Sequence, residues 1–237
     1  MVWRGWRIIS AIVEESETLI LKVKTKICCI QSLEEAHLAI AHGADILGFV
    51  SEMPSGPGVI EESLIAEIIR QLPGDVISCL LTSKTSVVEI VAQTDRCKPD
   101  ALQLCVRMSR VAMRELRAAL PETTLIPVVH VSDAASVNDA LAVQEFADAI
   151  LLDSSTKLNG VHQLGGTGLV HDWNVSREIV EKTSVPVYLA GGINASNVRE
   201  AIDKVQPYGI DLCTGVRTDW KLDAGKLEAF FAELKSI

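Results

Sequence analysis

Apolar residues along this chain fall into two alternating rhythms. Short runs rich in β-branched residues occupy 21–30, 46–50, 76–82, 101–105, 124–130, 147–153, 185–190 and 210–214. Between them, apolar positions recur at helical spacing near 32–43, 60–72, 85–96, 109–120, 134–145, 172–183, 196–205 and 223–235. The first rhythm predicts buried strands and the second amphipathic helices. Strands interleaved with helices pair in parallel through right-handed crossovers, so eight such pairs without a linker predict one α/β domain, a (β/α)8 TIM barrel, over 18–237. A doubly wound open sheet is the rival. Residues 1–17, carrying Trp3 and Trp6, are read as an N-terminal extension.

Helix punctuation fits the rhythm. Ser32 with Glu35 forms a capping-box pattern, and Gly43 stands where a left-handed stop is wanted. Leu64, Ile65, Ile68, Ile69 and Leu72 share a helical face that ends at Pro73-Gly74.

In such a barrel the reactive groups lie at the C-terminal ends of the strands, and residues two apart share a face. In the first strand Val23, Thr25, Ile27 and Cys29 fall on the outward, helix-packed face, which leaves Lys24, Lys26 and Cys28 inward. The same parity turns Gln103, Cys105, Asp211 and Cys213 inward, while Asp153 closes the sixth strand. Polar residues of several strands thus converge on one rim. A cysteine acts as base or nucleophile only as a thiolate, so a free pKa of about 8.5 must fall, and Lys26 is the cation placed to lower it. Asp153 can serve as an acid if burial raises its pKa. An inert thiol and a loop-capping carboxylate are the competing readings of Cys28 and Asp153.

Gly165-Gly166-Thr167-Gly168 and Ala190-Gly191-Gly192-Ile193 each follow a strand-like run and precede a helical one, and Thr214-Gly215 follows the eighth strand. Glycines let the backbone approach an anion, and helix N-termini offer unpaired N–H groups. Phosphate sites in these barrels recur after strands seven and eight. Gly165, Gly166, Gly191, Gly192, Thr214 and Gly215 are therefore the expected phosphate seat, and the partner is a small phosphorylated molecule.

Composition narrows this further. A net charge of −9 argues against nucleic acid or an anionic membrane surface as partner, and aromatics at 4% build no base-stacking platform. No apolar stretch is long enough to span a bilayer, and the N-terminus lacks a leader with a cleavage site, so a cytoplasmic protein is expected. The six cysteines read as reduced thiols and the five histidines show no metal-ligand spacing, so neither metal nor cofactor is expected.

Several of these stretches together resemble the phosphoribosylanthranilate isomerase family of tryptophan biosynthesis. They are Lys26-Ile27-Cys28, Gly43-Ala44-Asp45-Ile46-Leu47-Gly48-Phe49-Val50, Leu151-Leu152-Asp153, Gly165-Gly166-Thr167-Gly168 followed by Asp172-Trp173, and Leu189-Ala190-Gly191-Gly192-Ile193. The resemblance implies a cofactor-independent Amadori (aldose to ketose) rearrangement of an N-phosphoribosyl aromatic amine. It makes Cys28 the general base at the sugar C2, makes Asp153 the general acid on the furanose oxygen, and puts Asp211 near the substrate with Lys26 and Gln103. The chain departs from the family pattern at Cys29, where glycine is usual, and at Pro57, where an arginine holds the anthranilate carboxylate. It departs also at Cys105, in place of histidine, and at Arg217, in place of glutamate. Arg217 is a candidate replacement for the lost arginine, although a surface position is the simpler expectation. A different reaction on a sugar phosphate, a non-catalytic phosphate binder, and either a monomer or a homodimer stay open.

Overall fold

The computed structural model describes residues 23–54, 56–154, 156–158, 161–163 and 171–236. Eight parallel strands close into a barrel: β1 (Lys24–Ile27), β2 (Ile46–Val50), β3 (Ile77–Thr82), β4 (Ala101–Leu104), β5 (Thr124–Val131), β6 (Ile150–Ser154), β7 (Val187–Leu189) and β8 (Gly209–Leu212). Their order round the barrel is β1-β8-β7-β6-β5-β4-β3-β2, which rules out the open sheet. The helices are α1 (Leu33–His42), α2 (Glu62–Ile69), α3 (Val87–Cys97), α4 (Arg110–Ala119), α5 (Ala135–Val143), α6 (Trp173–Lys182), α7 (Val198–Val205) and α8 (Ala224–Lys235). No helix among the described residues is long and apolar enough to cross a membrane. The extension expected at 1–17 lies outside them.

Strand parity separates two apolar layers. Leu47, Phe49, Leu80, Leu102, Ile150 and Leu189 point outward and pack beneath the helices. Ile46, Cys79, Ala101, Ile126, Leu151 and Tyr188 fill the barrel interior. Tyr188 is 1% exposed, and it fits only because Gly209 on the neighbouring strand leaves its ring the space a Cβ would occupy. Three carboxylates pin the N-terminal end of the barrel by one repeated device. Asp45 accepts from the Thr25 N–H (2.9 Å), Asp100 from Ser78 (2.8 Å) and Asp148 from Leu125 (2.8 Å), each reaching back one strand to an otherwise orphaned donor.

The helix signals act largely as read. Ser32 Oγ accepts from the Glu35 N–H at 3.2 Å, and Gly43 stops α1 at φ 113°. The Glu35 carboxylate accepts from the Gln31 N–H at 3.1 Å rather than closing the box on Ser32. In α2 Ile65 and Ile68 are buried while Leu64 is partly exposed. Two hairpins pass unpredicted, Thr156–Leu158 with Val161–Gln163 and Arg217–Thr218 with Lys221–Leu222. Strands of two or three residues are too short to display a period.

Candidate active site

The C-terminal rim of β1 and β8 holds a buried charge pair. Lys26 and Asp211 are register partners, and Lys26 Nζ lies 3.0 Å from Asp211 Oδ2 with both side chains almost fully covered. Burial opposes the lysine's charge, but Asp211, Cys28 and Cys79 together outweigh it and hold the Lys26 pKa well above its ordinary value. Above them sits Cys28, 5% exposed. Gly48, facing inward on β2, makes the room: a Cβ there would stand 2.9 Å from Cys28 Sγ and 3.2 Å from Lys26 Nζ. A hydrogen bond with the Cys29 side chain, helped by the Lys26 charge and opposed by burial, lowers the Cys28 pKa.

Cys29 departs from its expected outward position. Regular strand geometry ends at Ile27, and Cys29 adopts φ 63°, so parity no longer applies and its side chain joins Cys28 in lining the cavity. Its Sγ lies 2.8 Å from Cys213 Sγ, and hydrogen bonds to Cys213 and Cys28, with burial, push its own pKa well up. Arg217 braces this turn and is not a surface residue, being 4% exposed. Its guanidinium donates to the Cys28 carbonyl (3.2 Å), to the Cys29 carbonyl and to Trp220 O (3.0 Å). It also grips both Glu35 oxygens, at 2.9 and 3.0 Å. Sequence reasoning missed this brace because its partners are 182 residues apart.

Across the mouth, Asp153 stands next to last in β6, in register with His130 on β5. Burial raises the Asp153 pKa; the Ser154 N–H, donating at 2.7 Å, and the nearby His130 act the other way. His130 also went unremarked in the sequence, although the parity of Ile126, Val128 and His130 marks it as inward.

The loops after β7 and β8 meet beside this pair. Gly191 and Gly192 have φ 84° and 67°, and a Cβ on Gly191 would crowd Ser154 N at 3.0 Å and Asp153 Oδ1 at 3.3 Å. The Gly192 carbonyl accepts from Asn197 Nδ2 at 3.0 Å and from Asn194 Nδ2 at 3.2 Å. Gly215 packs so closely on the Ile193 carbonyl that no Cβ fits. Gly191, Gly192 and Thr214 line the cavity, and Gly215 supports them from behind. Gly165 and Gly166, with the rest of their loop, lie outside the described residues.

Cys28, Asp153, Gln103, Asp211, Gly191 and Gly192 border one cavity of about 750 Å³, open solvent included. Lys26 lies beneath it. Gln103 Oε1 and Asp211 Oδ1 are buried with no hydrogen-bond partner among the described residues.

A thiol with a lowered pKa and a carboxyl with a raised one, beside glycine loops at the C-terminal mouth, define a (β/α)8 barrel with an acid–base site. The family model described as N-(5'phosphoribosyl)anthranilate (PRA) isomerase matches residues 25–233. The N-(5'-phosphoribosyl)anthranilate isomerase of Methanocella arvoryzae is 33% identical over 196 residues, which are 83% of this chain and 90% of that relative. The enzyme of the same name from Methanosarcina acetivorans is 31% identical over 227 residues, 91% of this chain and 94% of its own. Among solved structures, phosphoribosyl anthranilate isomerase from Thermotoga maritima superposes with a TM-score of 0.78 at 28% identity, covering 91% of this chain and 100% of that one. Another, bound to reduced 1-(o-carboxyphenylamino)-1-deoxyribulose 5-phosphate, gives 0.76 at 27% identity with the same coverage. The chain belongs to the phosphoribosylanthranilate isomerase family.

Proposed function

We propose that the protein isomerises N-(5'-phosphoribosyl)anthranilate to the 1-amino-1-deoxyribulose 5-phosphate in the cytoplasm, as a monomer or homodimer and without a cofactor. Asp153 gives its proton to the furanose oxygen as the C1–O bond breaks, and the nitrogen lone pair forms C1=N. The Cys28 thiolate then takes the proton from C2. The released electron pair forms C1=C2 and neutralises the iminium, and the resulting enol collapses to the ketone as C1 gains a proton. The Lys26–Asp211 pair and Gln103 hold the sugar hydroxyls, while Gly165, Gly166, Gly191, Gly192, Thr214 and Gly215 hold the phosphate.

The observation that carries this reading is a thiol and a carboxyl from opposite sides of the barrel lining one cavity in opposed environments. Cys28 is pulled toward thiolate by hydrogen bonding and charge, and Asp153 is pushed toward the protonated acid by burial. Cys28→Ser and Asp153→Asn should each abolish turnover while thermal unfolding stays close to that of the parent. Full activity in either variant would remove that residue from the mechanism. Growth of a tryptophan auxotroph lacking the isomerase, on supply of this chain, tests the activity independently.

A further inference from the structure

For the substrate proposed above, the barrel order assigns each part a side of the mouth. Base and acid stand at β1 and β6, and the glycine loops follow β7 and β8. The strands opposite β7 and β8 in the closed order are β3 and β4, so the aromatic ring lies on that side, over a wall that includes Leu81, Cys105 and Val128. Its ortho carboxylate then faces either the β2 edge of this wall or the β5 edge. At the β2 edge the described lining residues are Val50, Met53, Gly56 and Pro57, none of which has a side-chain hydrogen-bond donor. At the β5 edge stands His130, and both of its ring nitrogens are buried with no hydrogen-bond partner among the described residues.

We infer that His130 is the specificity residue that receives the substrate's aromatic carboxylate, on the opposite edge of the ring from the position that Pro57 occupies. The inference rests on the substrate reading given above. Among the described residues lining the cavity, His130 is the only one whose side chain can carry positive charge. Lys26 is committed to Asp211 at 3.0 Å, and Lys84, beyond the end of β3, lies outside the lining with its Nζ 3.9 Å from Glu52. A buried imidazole without a partner is an uncommon feature that a bound acceptor would relieve. Rotation about Cβ–Cγ, a broad torsion for histidine, turns a ring N–H toward the cavity. A half-turn of the aryl group about its bond to nitrogen carries the carboxylate from the β2 edge to the β5 edge while phosphate and sugar stay in place.

The test compares two substrates, N-(5'-phosphoribosyl)anthranilate and the aniline counterpart that lacks the carboxylate. His130→Leu should raise KM for the first tenfold or more and leave KM for the second unaltered, while any change in kcat that reaches Asp153 should be the same for both substrates. His130→Gln, which keeps an N–H donor, should recover part of the loss and covers the case in which the leucine variant fails to fold. Equal rises in KM for both substrates, a fall in kcat at constant KM, or transfer of the carboxylate-specific penalty to Lys84→Met would each overturn the assignment. Wild-type protein that converts the aniline compound as well as the anthranilate one overturns it while leaving the isomerase reading intact. Wild-type protein that converts neither overturns both.

Discussion

Gly191 and Cys29 occupy the same kind of backbone at the cavity rim, with φ of 84° and 63°, and they reach it by different means. Glycine enters the left-handed region without steric penalty, so the loop after β7 needs little beyond its own sequence. A cysteine there carries a cost of roughly 1–2 kcal/mol. That cost is met by distant groups, the Arg217 guanidinium on two consecutive carbonyls and the Glu35 carboxylate that holds the guanidinium in place. One rim is shaped by missing side chains and the other by a buried ion pair. The first is robust to changes elsewhere, whereas the second depends on residues far away in the chain.

Breaking the brace is the largest perturbation this comparison offers. Arg217→Met would leave Glu35, 15% exposed, with its two guanidinium bonds gone and would free the Cys28 and Cys29 carbonyls. Loss of one partner from a buried pair typically costs about 3–5 kcal/mol. Denaturant unfolding should register a loss of that order, and kcat should fall as Cys28 loses its aim. Glu35→Gln combined with Arg217→Met should recover much of the stability, because no unpaired charge remains, but little of the turnover. A single variant as stable as the parent would mean that the turn at Cys29 holds itself.

The same contrast explains what could be read from the sequence. Period-two runs and helix caps are local, so the barrel, its strand parity and the inward positions of Cys28, Gln103, Asp153 and Asp211 follow from neighbours in sequence. The glycine loop after β7 is equally local. Cys29 was misplaced because parity holds only while a strand lasts, and nothing nearby announces that β1 stops at Ile27. Arg217 was set on the surface because its partner Glu35 already had a local role as a capping residue. A side chain that serves two sites 182 residues apart leaves no pattern in one sequence.

On the glycine rim, Gly191→Ala should have an intermediate effect. Its Cβ would press on Ser154 N and Asp153 Oδ1 at 3.0 and 3.3 Å, in a backbone region that alanine disfavours. Strain and overpacking of this kind cost about 1–3 kcal/mol. Because the crowded atoms belong to the proposed acid and its donor, the variant should lose kcat as well as phosphate-dependent KM. If KM alone moves, Asp153 is not sensitive to this loop.

Cys29→Gly is the gentlest probe, and it separates the two functions of that position. Stability should change by less than about 1 kcal/mol, since relief of the left-handed penalty is offset by the entropy glycine loses on folding. The chemistry should change more. Turnover requires Cys28 ionised and Asp153 protonated together. Hydrogen bonding from Cys29 lowers the Cys28 pKa. Removing it should raise the Cys28 pKa, so the limb of the pH profile that reports Cys28 should move to higher pH, by about a factor of three to ten in proton affinity for one hydrogen bond. A profile that coincides with the parent's would show that the second cysteine shapes the backbone but not the base.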